Sequence, residues 1–129
     1  MNKQTLATIT LIFVILAFGG CRTAPIYNPT KTTFVTSSNP SIENIEQAIV
    51  DAGTTLGWIM TPEDSGHIVG TLYLRSHTAI VDIYYDTTSY KVAYRESTNL
   101  KYDGKTIHKN YNSWIHNLEQ GINSRVNGL

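Results

Sequence analysis

The feature that most constrains this chain is the run from His67 to Glu96, where apolar and polar residues alternate through three stretches divided by short breaks. A period of two places successive side chains on opposite faces of a strand. His67 to Arg75, Thr78 to Asp86 and Tyr90 to Glu96 therefore read as strands, joined at Ser76-His77 and Thr87-Thr88-Ser89. Breaks this short admit hairpins and no crossover, so the three form an antiparallel meander. The alternation also sorts the faces. Ile68, Leu72, Leu74, Val81, Ile83, Tyr85, Val92 and Tyr94 share the side expected to be buried. Val69, Thr71, Tyr73, Arg75, Ile80, Asp82, Tyr84, Lys91, Ala93 and Arg95 fall on the other.

The flanking segments follow a different period. Ile42, Ile45, Ile49, Ala52 and Leu56 lie on one face of a helix that Asn39 or Ser41 can cap and Gly57 can end. Tyr111, Trp114, Ile115, Leu118, Ile122 and Val126 form a second apolar stripe, from about Tyr111 onward. Trp58-Ile59-Met60 reads as a lead-in ended by Pro62 and a turn at Glu63 to Gly66, and Asn99 to Asn110 reads as loop around Asp103-Gly104. The expected architecture is a two-layer α+β sandwich, ordered helix, three-stranded antiparallel meander, helix, with a short N-terminal edge strand over Lys31 to Thr36.

The N-terminus has the parts of a secretory signal. Lys3 supplies a positive start, Leu6 to Phe18 a mainly apolar run, and Gly19-Gly20 a small-residue cut site before Cys21. The run is short for a membrane span, which needs roughly 20 apolar residues. The expected organisation is a signal peptide over 1–20, a tether over 21–40 rich in Thr, Ser, Asn and Pro, and an α+β domain over 41–129.

Gly19-Gly20-Cys21 after such a run resembles the lipobox of bacterial lipoproteins, although Phe18 stands where that family more often has leucine. The resemblance implies cleavage before Cys21 and a diacylglycerol on its sulfur, often with a further acyl chain such as palmitate on the new amino group. It implies the outer membrane, facing the periplasm, because Arg22 is not the aspartate that retains such proteins at the inner membrane. In a one-membrane source the protein would sit on the outer face. A secretory protein cleaved without lipid and an uncleaved anchor are the alternatives. The lone cysteine agrees with lipidation, since an exported chain otherwise carries a reactive thiol. Three stretches, Leu72 to Arg75, Ser97 to Leu100 and Tyr102 to Trp114, are also similar to segments of small uncharacterised bacterial lipoproteins. That likeness implies class and location, and no activity.

Composition narrows the function classes. The chain is formally neutral, which argues against a nucleic-acid or membrane-surface binder held by overall charge. The four histidines, His67, His77, His108 and His116, show no short-spaced ligand pattern, and no second cysteine helps, so neither metal nor cofactor is expected. No nucleophile turn or glycine-rich phosphate loop is present, which favours a non-enzymatic module. The candidate site is the open sheet face carrying Tyr73, Arg75, Asp82, Tyr84 and Arg95, because aromatic and arginine side chains are enriched at interfaces. An envelope protein is the expected partner, beside the membrane itself through Cys21. The other reading is a small-molecule or glycan binder, or a minor hydrolase, with a pocket gathering His77 or His108 with Asp or Arg.

Overall fold

The computed structural model describes residues 22–129. The expected leader and Cys21 lie outside the described residues. In chain order the elements are β1 (Thr23–Pro25), β2 (Thr32–Thr33), α1 (Ile42–Thr55), β3 (Ile59–Asp64), β4 (His67–Leu74), β5 (His77–Tyr85), β6 (Ser89–Thr98), β7 (Thr106–His108) and α2 (Lys109–Val126). Neither helix is long and apolar enough to cross a membrane.

The expected three-stranded sandwich is corrected here. The main sheet has five antiparallel strands, in the order β2-β6-β5-β4-β3, and β1 pairs with β7 in a separate two-stranded sheet. The central meander lies where alternation put it, and the additional strands are short or exposed. In β3 the pairing runs through Pro62, opposite Ile68, to Asp64 opposite His67. Proline lacks a donor, but an edge strand needs donors on one side only, so Pro62 does not end it. The edge strand expected over Lys31 to Thr36 contracts to Thr32-Thr33, opposite Tyr90 and Ser89. The region read as loop before the last helix contains β7, and α2 begins earlier than expected, with His108 as its N-cap.

Both helices cover the face that carries Ile68, Leu72, Val81, Ile83 and Val92, and they join it in one core with Ile45, Ile49, Ile115, Leu118 and Ile122. Local chemistry sets α1. Ser41 Oγ accepts from Asn44 N at 3.2 Å while Asn44 Oδ1 accepts from Ser41 N at 3.3 Å, a reciprocal cap. The helix ends as Gly57 takes φ 89°. Trp58 N then donates to Gly53 O at 2.9 Å and Gly57 N to Thr54 O at 3.0 Å, satisfying carbonyls the helix leaves open. Gly53 has a packing role as well. A Cβ there would lie 2.3 Å from Met60 Sδ, so β3 crosses the helix at a close approach. Leu56 and Leu74, expected in the core, are 42% and 44% exposed, because each stands at the end of its element.

Residues 22–38, expected as a spacer, are laid along α2. Asn112 Oδ1 accepts from Tyr27 N at 2.8 Å and its Nδ2 donates to Pro25 O at 2.9 Å. Tyr27 stacks on His116 at 3.9 Å and donates from its hydroxyl to Glu119 at 2.8 Å. Phe34 is buried against Tyr90, with ring centroids 5.4 Å apart. Val35 N donates to Asn127 Oδ1 at 3.1 Å, and Ser38 Oγ to Leu129 O at 2.7 Å. This strap closes one side of the core from the first turn of α2 to its last.

Candidate functional site

The uncovered face of the main sheet is built by the parity of β3 to β6. Register pairs His67 with Tyr84, Val69 with Asp82 and Thr71 with Ile80 across β4 and β5. Ile59 stands opposite Thr71 on the edge strand and is 57% exposed. Between β5 and β6 the register shifts, so that Ile80 faces Glu96 while Val81 faces Tyr94. Arg95 is the inserted residue of this bulge, a device that re-aims a side chain.

The bulge gives the face its polar centre. Asp82 lies half-buried between an imidazole and a guanidinium: His67 Nε2 is 2.7 Å from its Oδ1 and Arg95 Nη1 is 3.5 Å from the same oxygen. The His67 ring stacks on Tyr84, with centroids 4.7 Å apart and planes 14° from parallel. Asp82, Tyr84 and Arg95 are thus brought together, and His67 joins them. His67 has a legible signal, since it precedes Val69 by two and shares its face.

Tyr73 and Arg75 are not part of this cluster. Tyr73 pairs with Thr78, six residues along β4 from His67, which at about 3.3 Å per residue is roughly 20 Å away. Arg75 has left the strand for the two-residue turn between β4 and β5, where it takes φ 55°. A two-residue hairpin needs positive φ in its turn, and alternation alone cannot mark where a strand stops.

The arrangement holds polar groups and offers aromatic surface. A His-carboxylate pair activates a nucleophile that is within hydrogen-bond reach of the ring. Among the described residues, no hydroxyl or thiol is hydrogen-bonded to His67. No three His, Cys, Asp or Glu side chains gather as metal ligands among them.

A groove of about 260 Å³ opens beside Tyr84, lined also by Lys31, Asp86, Ser89 and Lys91. Lys31 Nζ is 3.6 Å from Asp86 across its mouth. Asp86 itself belongs to the β5–β6 turn. The Thr88 backbone N–H, then the Thr88 hydroxyl and the Ser89 donors, hold its carboxyl well below the usual carboxylate range. On the groove's inner wall, burial and then the bond to Glu46 push the Tyr85 hydroxyl up to about 12.

His77 and His108 do meet, with rings 5.8 Å apart and Trp114 6.3 Å from His77. Each has a structural partner: His77 Nδ1 is 2.7 Å from Asn99 O, and His108 Nδ1 accepts from Asn110 N at 3.2 Å. Neither lines the grooves beside Tyr84, beside Phe34 or beside Arg125. Comparison with known protein families, with curated proteins and with solved structures finds no match to this chain.

Proposed function

We propose that this chain is a lipid-anchored envelope protein, held at a membrane through Cys21, whose domain works as a non-enzymatic interaction module. In a two-membrane source the expected site is the outer membrane, facing the periplasm. The observation that carries the interaction reading is the asymmetry of the sheet. One face is sealed by two helices, while the other leaves Ile59 57%, Tyr73 65% and Tyr84 49% exposed along its length, with Asp82 half-buried near Tyr84. Large apolar side chains on a rigid, polar-centred sheet face are what a protein partner buries. The anchor reading is supported by the position of the only cysteine, directly after Gly19-Gly20.

The two readings have separate tests. Palmitate labelling should mark the wild type and not Cys21→Ala, and equal labelling of both would refute the anchor. Crosslinking in native membranes should recover a partner that Tyr73→Ala with Tyr84→Ala weakens. Both tyrosines are exposed, so the double variant should stay within about 1 kcal/mol of wild-type stability. Recovery of the same partners by the double variant would count against the sheet face.

A second reading, a small-molecule or glycan site, is favoured by the groove where Tyr84 meets Lys31 and Asp86. Its volume of about 260 Å³ is below the roughly 300–1,000 Å³ usual for ligand pockets, which ranks this reading second. Titrating glycan fragments should shift the Tyr84 and Lys91 resonances if it holds.

A further inference from the structure

The meander gives the domain two unlike ends. One carries the turns β3–β4 and β5–β6, with Glu63, Asp64 and Asp86, the last 3.6 Å from Lys31 and sharing a groove with Lys91, so that this end is acidic by one charge. The other carries the β4–β5 turn, the end of β6 and the loop that follows, and the first turn of α2. Four contacts tie this second end together. Asn99 Nδ2 donates to Ser76 Oγ at 2.8 Å, the His77 and His108 rings are 5.8 Å apart, His108 N donates to Leu100 O at 2.8 Å, and Thr78 pairs with Thr98. Arg22, Arg75, Lys101 and Lys109 are all exposed here. Tyr73 and Tyr102 stand among them, 65% and 39% exposed. Two acids lie near: Glu96, exposed on β6 opposite Ile80, and Asp103, whose carboxylate accepts from Lys105 N, Thr106 N and the Thr106 hydroxyl within its own turn, so the four cations outnumber them by two. α1, with Glu43, Glu46 and Asp51, packs instead along the C-terminal half of α2, where Arg125 donates to Thr55 at 2.8 Å.

The chain enters the fold at this same basic end. Thr23 is opposite His108, and Lys109 N donates to Arg22 O at 2.9 Å. Only Arg22 lies between Cys21 and Thr23, and the two Cα steps span about 7 Å at most. A lipid on Cys21 therefore leaves the domain no spacer. We propose that the end bearing Arg22, Arg75, Lys101 and Lys109 is seated on an anionic phospholipid surface, with Tyr102 at headgroup level and Tyr73 at the margin, left to the open sheet face. This rests on the anchoring reading above and adds an orientation to it. Basic side chains near an anionic bilayer are attracted to it, and tyrosines favour the interface for their apolar body and polar tip. The acidic turns then point away from the membrane, and the His67–Asp82–Tyr84 cluster lies beside them at that far end.

The test uses the full chain expressed with its leader, purified from membranes and reconstituted in vesicles of phosphatidylcholine with or without phosphatidylglycerol. Mass spectrometry first reports whether Cys21 carries lipid, which tests the anchor separately. Bimane is then placed by Tyr102→Cys in one sample and Glu63→Cys in another, with nitroxide-headgroup lipid as quencher. Tyr102→Cys should be quenched at least threefold more than Glu63→Cys, and more strongly with phosphatidylglycerol than without, because each basic side chain shifts such an equilibrium by about fivefold. Arg75→Glu with Lys101→Glu, both exposed and expected to fold by circular dichroism, should abolish the difference. Equal quenching at the two positions, indifference to phosphatidylglycerol, or an unchanged pattern in the charge-reversed variant would overturn the proposal. So would protection of Tyr102→Cys by an envelope protein extract and not by lipid, which would assign this end to a protein partner.

Discussion

At the scale of single residues, Asp86 shows how one carboxylate organises a turn. Its Oδ1 accepts from Thr88 N at 2.8 Å, Thr88 Oγ1 at 2.8 Å, Ser89 N at 2.8 Å and Ser89 Oγ at 3.1 Å. The carboxyl is held below its ordinary value of 3.8 in the folded chain, so the unfolded chain binds the proton first as pH falls. The stability contributed is complete above that value and is lost as pH drops through it toward the folded one. Asp86→Asn should cost about 1 kcal/mol at neutral pH, a modest figure because the side chain is half exposed to solvent. Urea midpoints should show a constant gap between wild type and variant down to about pH 5, closing below about pH 4. A gap that persists undiminished at low pH would mean that the turn does not depend on the charge. His67 teaches a different lesson at this scale. Its identity was plain in the sequence, and so was its parity with Val69. What could not be read was that the bulge at Arg95 brings a guanidinium to the same oxygen of Asp82.

At the scale of elements, legibility followed exposure and length. The central strands and both helices were readable because each repeats its apolar spacing over several turns or pleats. β1 and β7 have three residues each, too few to show a period, and β3 has five of its six residues exposed, so neither face imprints a pattern. They form because neighbouring backbone needs partners, a demand that acts through space and leaves no mark on local sequence. Gly53 is an example of a residue whose meaning changes with that knowledge. In an isolated helix it is a defect, costing about 1 kcal/mol against alanine. Here Met60 Sδ, Cγ and Cε would all lie within 2.7 Å of an added Cβ. Gly53→Ala should therefore fail to stabilise the wild type, and should stabilise a Met60→Ala background by about 0.5–1 kcal/mol. A double-mutant cycle on chemical denaturation measures the coupling, expected at about 1 kcal/mol or more. Additive effects would show that Met60 moves aside without cost.

At the scale of the whole molecule, the strap makes the N-terminal segment part of the domain. Phe34 and Pro29 are buried, Ile26 and Tyr27 pack on the core, and the strap's bonds reach α2 at Asn112, Glu119 and Asn127. Burying Phe34 alone is worth about 3 kcal/mol by the cost of truncating such a side chain, a large part of the roughly 5–15 kcal/mol that holds a domain together. A chain of residues 37–129 should therefore lose its cooperative urea transition, while Phe34→Ala in the full chain should lower the midpoint by about 3 kcal/mol equivalent. Retention of the full midpoint by the shorter chain would show that the strap only decorates the domain. A compositional reading could not find this, because Thr, Asn and Pro suit a spacer and a strap equally, and the difference lies in what Phe34 and Tyr27 touch.

The strap also has a mechanical consequence. If the domain were pulled by the chain before Arg22, the load would fall first on Lys109 N–Arg22 O, then on the pairs Thr23–His108, Ala24–Ile107 and Pro25–Thr106, then on the clamp of Asn112. These peel one after another, each yielding at a small force. Before Phe34 leaves the core, the twelve residues from Arg22 to Thr33 would pay out as much as about 40 Å of chain. Under such a load the strap would become the spacer that the folded chain does not offer, unwinding from α2 as tension rises and rewinding when it ends.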